Sequence, residues 1–231
     1  MNKISKIYYI NLDRRPDRNE HFLKECSKKN INTKKLVRFP ALDGNIYKFS
    51  RYELDLFKNV DYRNKEYNKK IMGNQLSHYY ILKDMIKNNY EYIIIFQDDV
   101  IFRKDFIMQL EKVMYSLPKD SEIVNIAFHK FASYEKFIPW NLDQTAEDQS
   151  MAKKNITKGV CILNDTINPC SLGYIVTLNG AKNLIEHFET NGFYRATDWN
   201  FNMYLIEKNI FYGSRIVLCT GDPSLGSDIF K

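Results

Sequence analysis

Two adjacent carboxylates, Asp98 and Asp99, directly follow the apolar residues 92–96. A short, continuously apolar run of this kind is typical of a strand buried on both faces of a central sheet. Because two neighbouring anions repel each other, we expect a cation close to this acidic doublet. Carboxylate oxygens are ligands that Mg²⁺ and Mn²⁺ prefer, usually with substrate phosphates completing the coordination shell. A turn or a helix cap is the structural alternative for the same two residues.

A second polar segment, residues 13–18, follows the first apolar run of the chain. The segment is rich in arginine, and Pro16 within it suits the first turn of a helix. Guanidinium groups match the geometry of phosphate oxygens, and a helix N-terminus attracts anions. The segment is therefore a candidate phosphate-binding site, with a charged surface turn as the alternative.

Two further residues could take part in chemistry. His78 shares a helical face with Leu82 and Met85, so a buried histidine with a structural role is the more common interpretation of it. Asp198 lies at the predicted start of a helix, where a carboxylate acts either as a dipole partner or as a general base. We expect Thr197 to be the N-cap of that helix.

The elements that position these residues follow from the apolar pattern. Strands and helices alternate over the first 130 residues, which indicates an α/β fold with a mostly parallel sheet flanked by helices. Ligands bind such sheets beyond the carboxyl ends of the strands, so we expect the chemistry just after Leu12 and just after Phe96. Residues 59–70 are expected to form a loop before a helix over 74–87. Residues 129–156 are expected to be irregular, either as a mobile lid or acceptor loop or as a disordered segment.

Composition bounds the class of protein. The 231 residues fit one domain with a sizeable core. A net charge of +6 suits an anionic ligand, but the basic residues are scattered, which argues against a nucleic-acid partner. No apolar run approaches the roughly 20 residues that span a bilayer, and the charged N-terminus differs from a signal peptide. We therefore expect a soluble, cytoplasmic protein with at most peripheral membrane contact.

Six segments, taken in order along the chain, resemble glycosyltransferase family 25, which includes bacterial lipooligosaccharide and collagen galactosyltransferases. They include Ile-Asn-Leu-Asp-Arg-Arg from residue 10, Ala-Leu-Asp-Gly from 41, Gly-Asn-Gln-Leu-Ser-His from 73 and Gln-Asp-Asp-Val from 97. The other two are Gly-Tyr-Ile-Val-Thr from 173 with a later Gly-Ala, and Asp-Trp at 198–199. The resemblance implies a GT-A fold, with a nucleotide-sugar-binding half over 1–130 and an acceptor-side half over 131–231.

The resemblance also implies an activity. It is the inverting transfer of a hexose from a nucleotide sugar, UDP-galactose in many members, to a hydroxyl of a glycan or protein acceptor. A divalent metal is implied, usually Mn²⁺, with Mg²⁺ as the alternative. The implied metal ligands are Asp99, Asp98 and Gln97, and the implied base is Asp198. The implied donor-binding residues are Asn11, Arg14, Ala41, Asp43, Gly44, Ser77, His78 and Asp98.

Gln97 departs from the family pattern, which has an acid at this position. A glutamine carbonyl oxygen can ligate a hard cation but supplies no charge, so metal affinity should fall. The sequence leaves open a working transferase, with a weak metal site or with none. The alternative is a catalytically weak or inactive relative that binds a nucleotide sugar or glycan without transfer. A nucleic-acid-binding protein is a third hypothesis, which the acidic doublet disfavours.

Overall fold

The computed structural model describes residues 3–60, 65–133, 136–139, 142–143, 145, 151–166 and 171–229. Within these ranges the helices are α1 (Pro16–Lys28), α2 (Arg51–Leu56), α3 (Lys65–Lys87), α4 (Phe106–Tyr115), α5 (Leu178–Asn191) and α6 (Thr197–Glu207). The strands are β1 (Lys6–Asn11), β2 (Leu36–Pro40), β3 (Tyr92–Gln97), β4 (Val100–Phe102), β5 (Ile123–Asn125), β6 (His129–Ser133), β7 (Lys136–Pro139), β8 (Ala152–Asn155), β9 (Val160–Leu163), β10 (Gly173–Thr177), β11 (Tyr212–Ser214) and β12 (Cys219–Gly221). None of the helices described is long and apolar enough to cross a membrane.

The central sheet has eight strands in the order β2-β1-β3-β10-β5-β11-β9-β8. The predicted α/β class is confirmed, and β2, β1 and β3 are parallel as expected. The second half of the sheet differs, because β10 runs antiparallel to both β3 and β5, and β9 runs antiparallel to both β11 and β8. The sheet is therefore mixed. A buried antiparallel strand has the same continuously apolar sequence as a parallel one, so the pattern did not reveal the direction of β10.

Helices cover both faces of this sheet. Successive residues of a strand point to opposite faces, and two neighbouring tyrosines of β1 show what covers each face. Tyr9 stacks on Phe22 of α1 with ring centroids 4.3 Å apart. Tyr8 donates a hydrogen bond from its hydroxyl group to Asp84 of α3. The side chains of residues 93–96 in β3 are fully buried between these helices, which explains the uninterrupted apolar run there.

Three sequence-based expectations need correction. Helix α3 begins at Lys65, so part of the predicted 59–70 loop is helical, and residues 61–64 lie outside the described residues. The lysine-rich first turns of α3 carry no apolar stripe, which is why periodicity missed them. Helix α6 begins at Thr197, so its N-cap is Ala196 and not Thr197 as predicted. The Thr197 hydroxyl instead donates to Asn74 Oδ1 at 2.9 Å. Within 129–156, the described residues form the β6–β7 hairpin and the edge strand β8.

Candidate active site

A cavity of about 480 Å³ opens at the carboxyl ends of β1 and β3. These strands are parallel neighbours, so the segments that follow them meet at one edge of the sheet. This is the edge at which we expected the chemistry. The cavity wall includes Arg14, Ala41, Asp43, Gly44, Gln97, Asp98, Asp99 and Asp198.

Asn11, Ser77 and His78 are absent from the wall of this cavity, although the resemblance implied that they bind the donor. Asn11 lies behind the acidic doublet and is buried. Its amide nitrogen donates to Asp98 Oδ2 at 2.7 Å, and its amide oxygen accepts from Arg38 at 2.8 Å. Internal partners therefore occupy this side chain, which orients Asp98.

Ser77 fixes the turn at 41–44 against α3. Its hydroxyl donates to the Gly73 carbonyl oxygen at 2.7 Å and accepts from the Leu42 amide at 3.0 Å. The close approach requires glycine on both sides. A Cβ on Gly44 would lie 1.7 Å from the Lys69 carbonyl oxygen, and a Cβ on Gly73 would lie 2.1 Å from the Leu42 carbonyl oxygen. Ser77 thus shapes the cavity wall from behind.

His78 is fully buried between α3 and β10. The Gln97 amide nitrogen lies 3.1 Å from His78 Nε2, and the Tyr174 hydroxyl lies 2.6 Å from Nδ1. A neutral ring that accepts from Gln97 at Nε2 and donates from Nδ1 satisfies both contacts. Burial lowers the pKa of His78 to about 3, so the ring is neutral at physiological pH. His78 is thus a buried histidine with both ring nitrogens in hydrogen bonds. It holds the Gln97 amide group at the end of β3.

One cationic side chain of the protein itself lies beside the acidic doublet. Arg18 Nη1 lies 3.0 Å from Asp98 Oδ1 and 3.4 Å from Asp99 Oδ2. From the sequence, Arg18 was predicted only as part of the arginine-rich segment 13–18 and not as a partner of the doublet. One signal was available: Arg18 follows Pro16 in the first turn of α1, where the helix dipole disfavours a positive charge. An arginine at that position indicates an anionic partner elsewhere in the fold.

One guanidinium group does not fully offset the two carboxylates. Burial, and then the charge of Asp99, raise the pKa of Asp98 to about 6, although Arg18 and Asn11 act in the opposite direction. Burial also raises the pKa of Asp99, again against the charge of Arg18. In the described part of the chain, Asp99 Oδ1 is buried and has no hydrogen-bond partner. Such an unpartnered carboxylate oxygen is suited to a hard cation.

The protein alone supplies few ligands for that cation. Among the described residues, no group of three or more His, Cys, Asp or Glu could hold a metal ion. The donor set that fits is therefore the two carboxylates of the doublet with the Gln97 amide oxygen, completed by phosphate oxygens and water. This is the ligation that Mg²⁺ and Mn²⁺ adopt when they bind together with a nucleotide.

The cavity as a whole is acidic. Of the described residues that line it, six are aspartates and only three are cationic: Asp43, Asp98, Asp99, Asp198, Asp222 and Asp228 against Arg14, Arg18 and Lys70. A diphosphate entering this cavity would meet net repulsion unless a cation entered with it or one carboxylate left the wall. Asp222 and Asp228, which the sequence analysis did not single out, are therefore part of the site's charge balance.

Asp198 reaches the cavity on the first turn of α6. Two hydrogen bonds anchor that turn to α3. Thr197 donates to Asn74, and the Asn200 amide nitrogen donates to Gln75 Oε1 at 3.1 Å. Contacts between α6 and α3 thus hold the turn that carries Asp198 in the wall of the cavity.

The C-terminal segment arrives at the same cavity through β12. That strand pairs antiparallel with β4, with Gly221 opposite Val100, directly after the acidic doublet. The Asp222 amide then donates to the Asp99 carbonyl oxygen at 2.7 Å. Residues 222–229 continue past the doublet along the cavity wall.

One protein-family model matches most of the chain. The model of "Glycosyltransferase family 25 (LPS biosynthesis protein)" matches residues 4–198, which include β1, the acidic doublet and Asp198. This chain belongs to glycosyltransferase family 25. Arg18 and the segments that form the doublet side of the cavity lie inside the matched range, whereas Asp222 and Asp228 lie outside it.

Curated relatives are similar over most of this chain. A human protein named procollagen galactosyltransferase 2 is 26% identical over 187 residues, which cover 78% of this chain and 27% of the relative. A glycosyltransferase 25 family member of Aedes aegypti is 25% identical over 188 residues, 79% of this chain and 28% of the relative. A bovine relative, "probable inactive glycosyltransferase 25 family member 3", is 24% identical over 78% of this chain and 28% of its own length. The matches thus span little more than a quarter of these relatives.

One solved structure gives a distant match. Mouse xyloside xylosyltransferase 1, in its apo form, aligns with a TM-score of 0.39 and 11% identity. The alignment covers 91% of this chain and 75% of the mouse chain. A likeness of this size supports no argument about fold or function.

Proposed function

We propose that this member of glycosyltransferase family 25 transfers a hexose from a nucleotide sugar to a hydroxyl group of a glycan or protein acceptor. The donor that the family favours is UDP-galactose, and the transfer is inverting. The observation that carries the proposal is the unpartnered Asp99 Oδ1, which lies in one cavity with Arg14 and Asp198. A cation ligand, a phosphate partner and a base are the three groups that such a transfer needs.

A divalent cation, Mn²⁺ or Mg²⁺, would be held by Asp99, with Asp98 behind it and Gln97 beside it. When bound there, the cation would supply Lewis-acid stabilisation of the charge that develops on the departing diphosphate. Gln97 offers its amide oxygen, because its amide nitrogen already donates to His78. Arg18 and Asn11 hold Asp98 in place while Asp99 keeps an oxygen for the ligand.

The donor would lie between the arginine segment after β1 and the turn at 41–44. Arg14 lines the cavity and is half-exposed, so its guanidinium group is accessible to a phosphate. Asp43 accepts from Arg14 Nε at 2.7 Å and so couples the turn to the arginine. Ala41 and Gly44 line the cavity together with Asp43, and the nucleoside of the donor would contact this turn.

Asp198 would act as the base. In an inverting transfer the acceptor oxygen attacks the anomeric carbon as the bond to the diphosphate breaks, and the acceptor's proton must be removed. Asp198 lines the same cavity as Arg14 and Asp99, and its Oδ1 accepts a hydrogen bond from the Trp199 amide at 3.0 Å. Its helix–helix anchoring keeps the group in a fixed position for this proton transfer.

Hydrolysis and binding assays test the proposal directly. The purified chain should release UDP slowly from UDP-galactose in Mn²⁺ without an acceptor, and EDTA or Asp99→Ala should abolish the release. UDP-galactose at 100 times its dissociation constant should also raise the stability by about 2.7 kcal/mol in a thermal-shift assay. Lack of both hydrolysis and stabilisation with every UDP-sugar and metal would refute the assignment.

A second candidate function is binding without transfer. It is motivated by Gln97, which stands where the family pattern has an acid, and by the bovine relative named as probably inactive. This function predicts UDP-sugar binding in Mn²⁺ with no turnover, and the appearance of turnover in Gln97→Glu. Turnover by the natural chain would rule it out.

A further inference from the structure

A carboxylate of the chain occupies the arginine cluster beside the acidic doublet. Asp228 Oδ1 lies 2.6 Å from Arg14 Nη1, and Asp228 Oδ2 forms a short ion pair with Arg15 Nη1. Arg18 Nε lies 3.8 Å from the same Oδ2. Three guanidinium groups from one segment thus converge on a single carboxylate that arrives from the other end of the sequence.

The backbone near Asp228 is tied to the same arginines. Arg18 donates to the Gly226 carbonyl oxygen, and Arg15 donates to the Leu225 carbonyl oxygen at 3.3 Å. Gly226 has a φ of 69°, a conformation that side chains disfavour, and the turn it makes leads Asp228 back toward the cavity. We call residues 225–229 the strap. Ion pairs and hydrogen bonds connect the strap to Arg14, Arg15 and Arg18.

Such a cluster is suited to phosphate. Guanidinium groups bind phosphate and carboxylate oxygens with the same paired geometry, and a diphosphate offers more oxygens and more charge than one carboxylate. Burial alone would raise the pKa of Asp228, but the hydrogen bond from Arg14 and the charges of Arg18 and Arg15 hold it below its usual value. Asp228 is therefore an anion at neutral pH and stands where a ligand's anion would bind.

We propose that Asp228 is an internal competitor for the donor's phosphate groups. The inference rests on the proposed function and deepens it. Entry of a diphosphate displaces the Asp228 carboxylate from Arg14 and Arg15, and the strap moves away from α1. Displacement removes one negative charge from a cavity wall that carries six aspartates. Because both anions need the same guanidinium groups, the strap and the diphosphate bind to Arg14 and Arg15 alternately.

Calorimetric titration with UDP in Mn²⁺ tests the competition. Asp228→Asn keeps the size of the side chain but removes its charge, and it should bind UDP about fivefold more tightly than the natural chain, as expected for loss of one competing ion pair. The matched control is Asp17→Asn. Asp17 also pairs with Arg15, at 2.7 Å, but its side chain is 56% exposed and it does not line the cavity. This control should change UDP affinity less than twofold.

Two more probes separate competition from simple opening of the cavity. Inorganic pyrophosphate should gain affinity in Asp228→Asn as UDP does, whereas uridine, which has no phosphate, should gain none. Equal or weaker UDP binding in Asp228→Asn, or an equal gain for uridine, would overturn the inference and leave the donor site intact. No binding of UDP or pyrophosphate to any variant would overturn the proposed function as well. Asp228→Ser provides a second variant if Asp228→Asn does not fold.

Discussion

Arg18→Gln would remove the internal cation of the acidic doublet. Arg18 and Asp98 have side chains that are only 8% and 5% exposed, and their charged atoms lie 3.0 Å apart. Breaking a buried ion pair by removing one partner costs about 3–5 kcal/mol, because the remaining charge stays buried. We expect about 3 kcal/mol at pH 7.5, at the low end, because Asp98 can relieve part of the cost by taking up a proton.

The pH dependence of this loss has a defined sign. Without Arg18, the pKa values of Asp98 and Asp99 in the folded state rise further above their unfolded values. The folded variant then binds more protons than the unfolded chain, and its stability falls as the pH rises through those folded-state pKa values. The difference in free energy of unfolding between the natural chain and Arg18→Gln should therefore be largest above pH 7 and decrease toward pH 5.

Denaturant unfolding in EDTA, repeated with Mn²⁺, measures both effects. Mn²⁺ should stabilise Arg18→Gln more than the natural chain, because the metal would replace the missing cation. Arg14→Gln is the matched control: it removes an arginine from the same segment, but the Arg14 side chain is 44% exposed, so the loss in free energy of unfolding should be about 1 kcal/mol. A loss below about 1 kcal/mol for Arg18→Gln, or one that does not vary with pH, would refute the reasoning.

Three further predictions concern other residues. Burial lowers the pKa of His78 to about 3, below its unfolded value, so the unfolded state binds the extra proton between about pH 6.5 and 3. In EDTA, the free energy of unfolding of the natural chain minus that of His78→Gln should therefore fall by up to about 1.4 kcal/mol per pH unit below pH 6.5, as measured by denaturant unfolding, and a difference that does not vary with pH would contradict this assignment. Asp198→Asn should reduce transfer by about 10²-fold or more with UDP affinity unchanged, in a coupled UDP-release assay; normal transfer would remove Asp198 as the base. Gln97→Glu should raise Mn²⁺ affinity about tenfold in a titration, because it adds a charged ligand; unchanged affinity would place the metal away from β3.

Local patterns predicted much of the positioning framework. Within the apolar run at 92–96, residues 93–96 are fully buried in β3, and Pro16 lies in the first turn of α1. Both features depend on residues close in sequence. The same patterns predicted that the site lies at the carboxyl ends of β1 and β3. These strands are parallel neighbours, so both of them end at one edge of the sheet.

The missing parts depend on contacts between distant segments. Arg18 pairs with Asp98, and Asp228 reaches the arginine segment only because β12 pairs with β4. No local spacing reveals such pairings. Asn11, Ser77 and His78 show the converse, since polar side chains near a site can be consumed by internal hydrogen bonds and support the wall instead of lining it.

A crystal structure with Mn²⁺ and UDP would show whether Asp99 binds the metal that contacts the diphosphate. Anomalous scattering from manganese would locate the metal without reference to the protein coordinates. We expect one manganese ion at coordination distance from Asp99 Oδ1 that also contacts a phosphate oxygen of UDP. Arg18 should remain paired to Asp98. UDP bound in the cavity with the manganese elsewhere, or with Asp99 contacting no ligand, would contradict it.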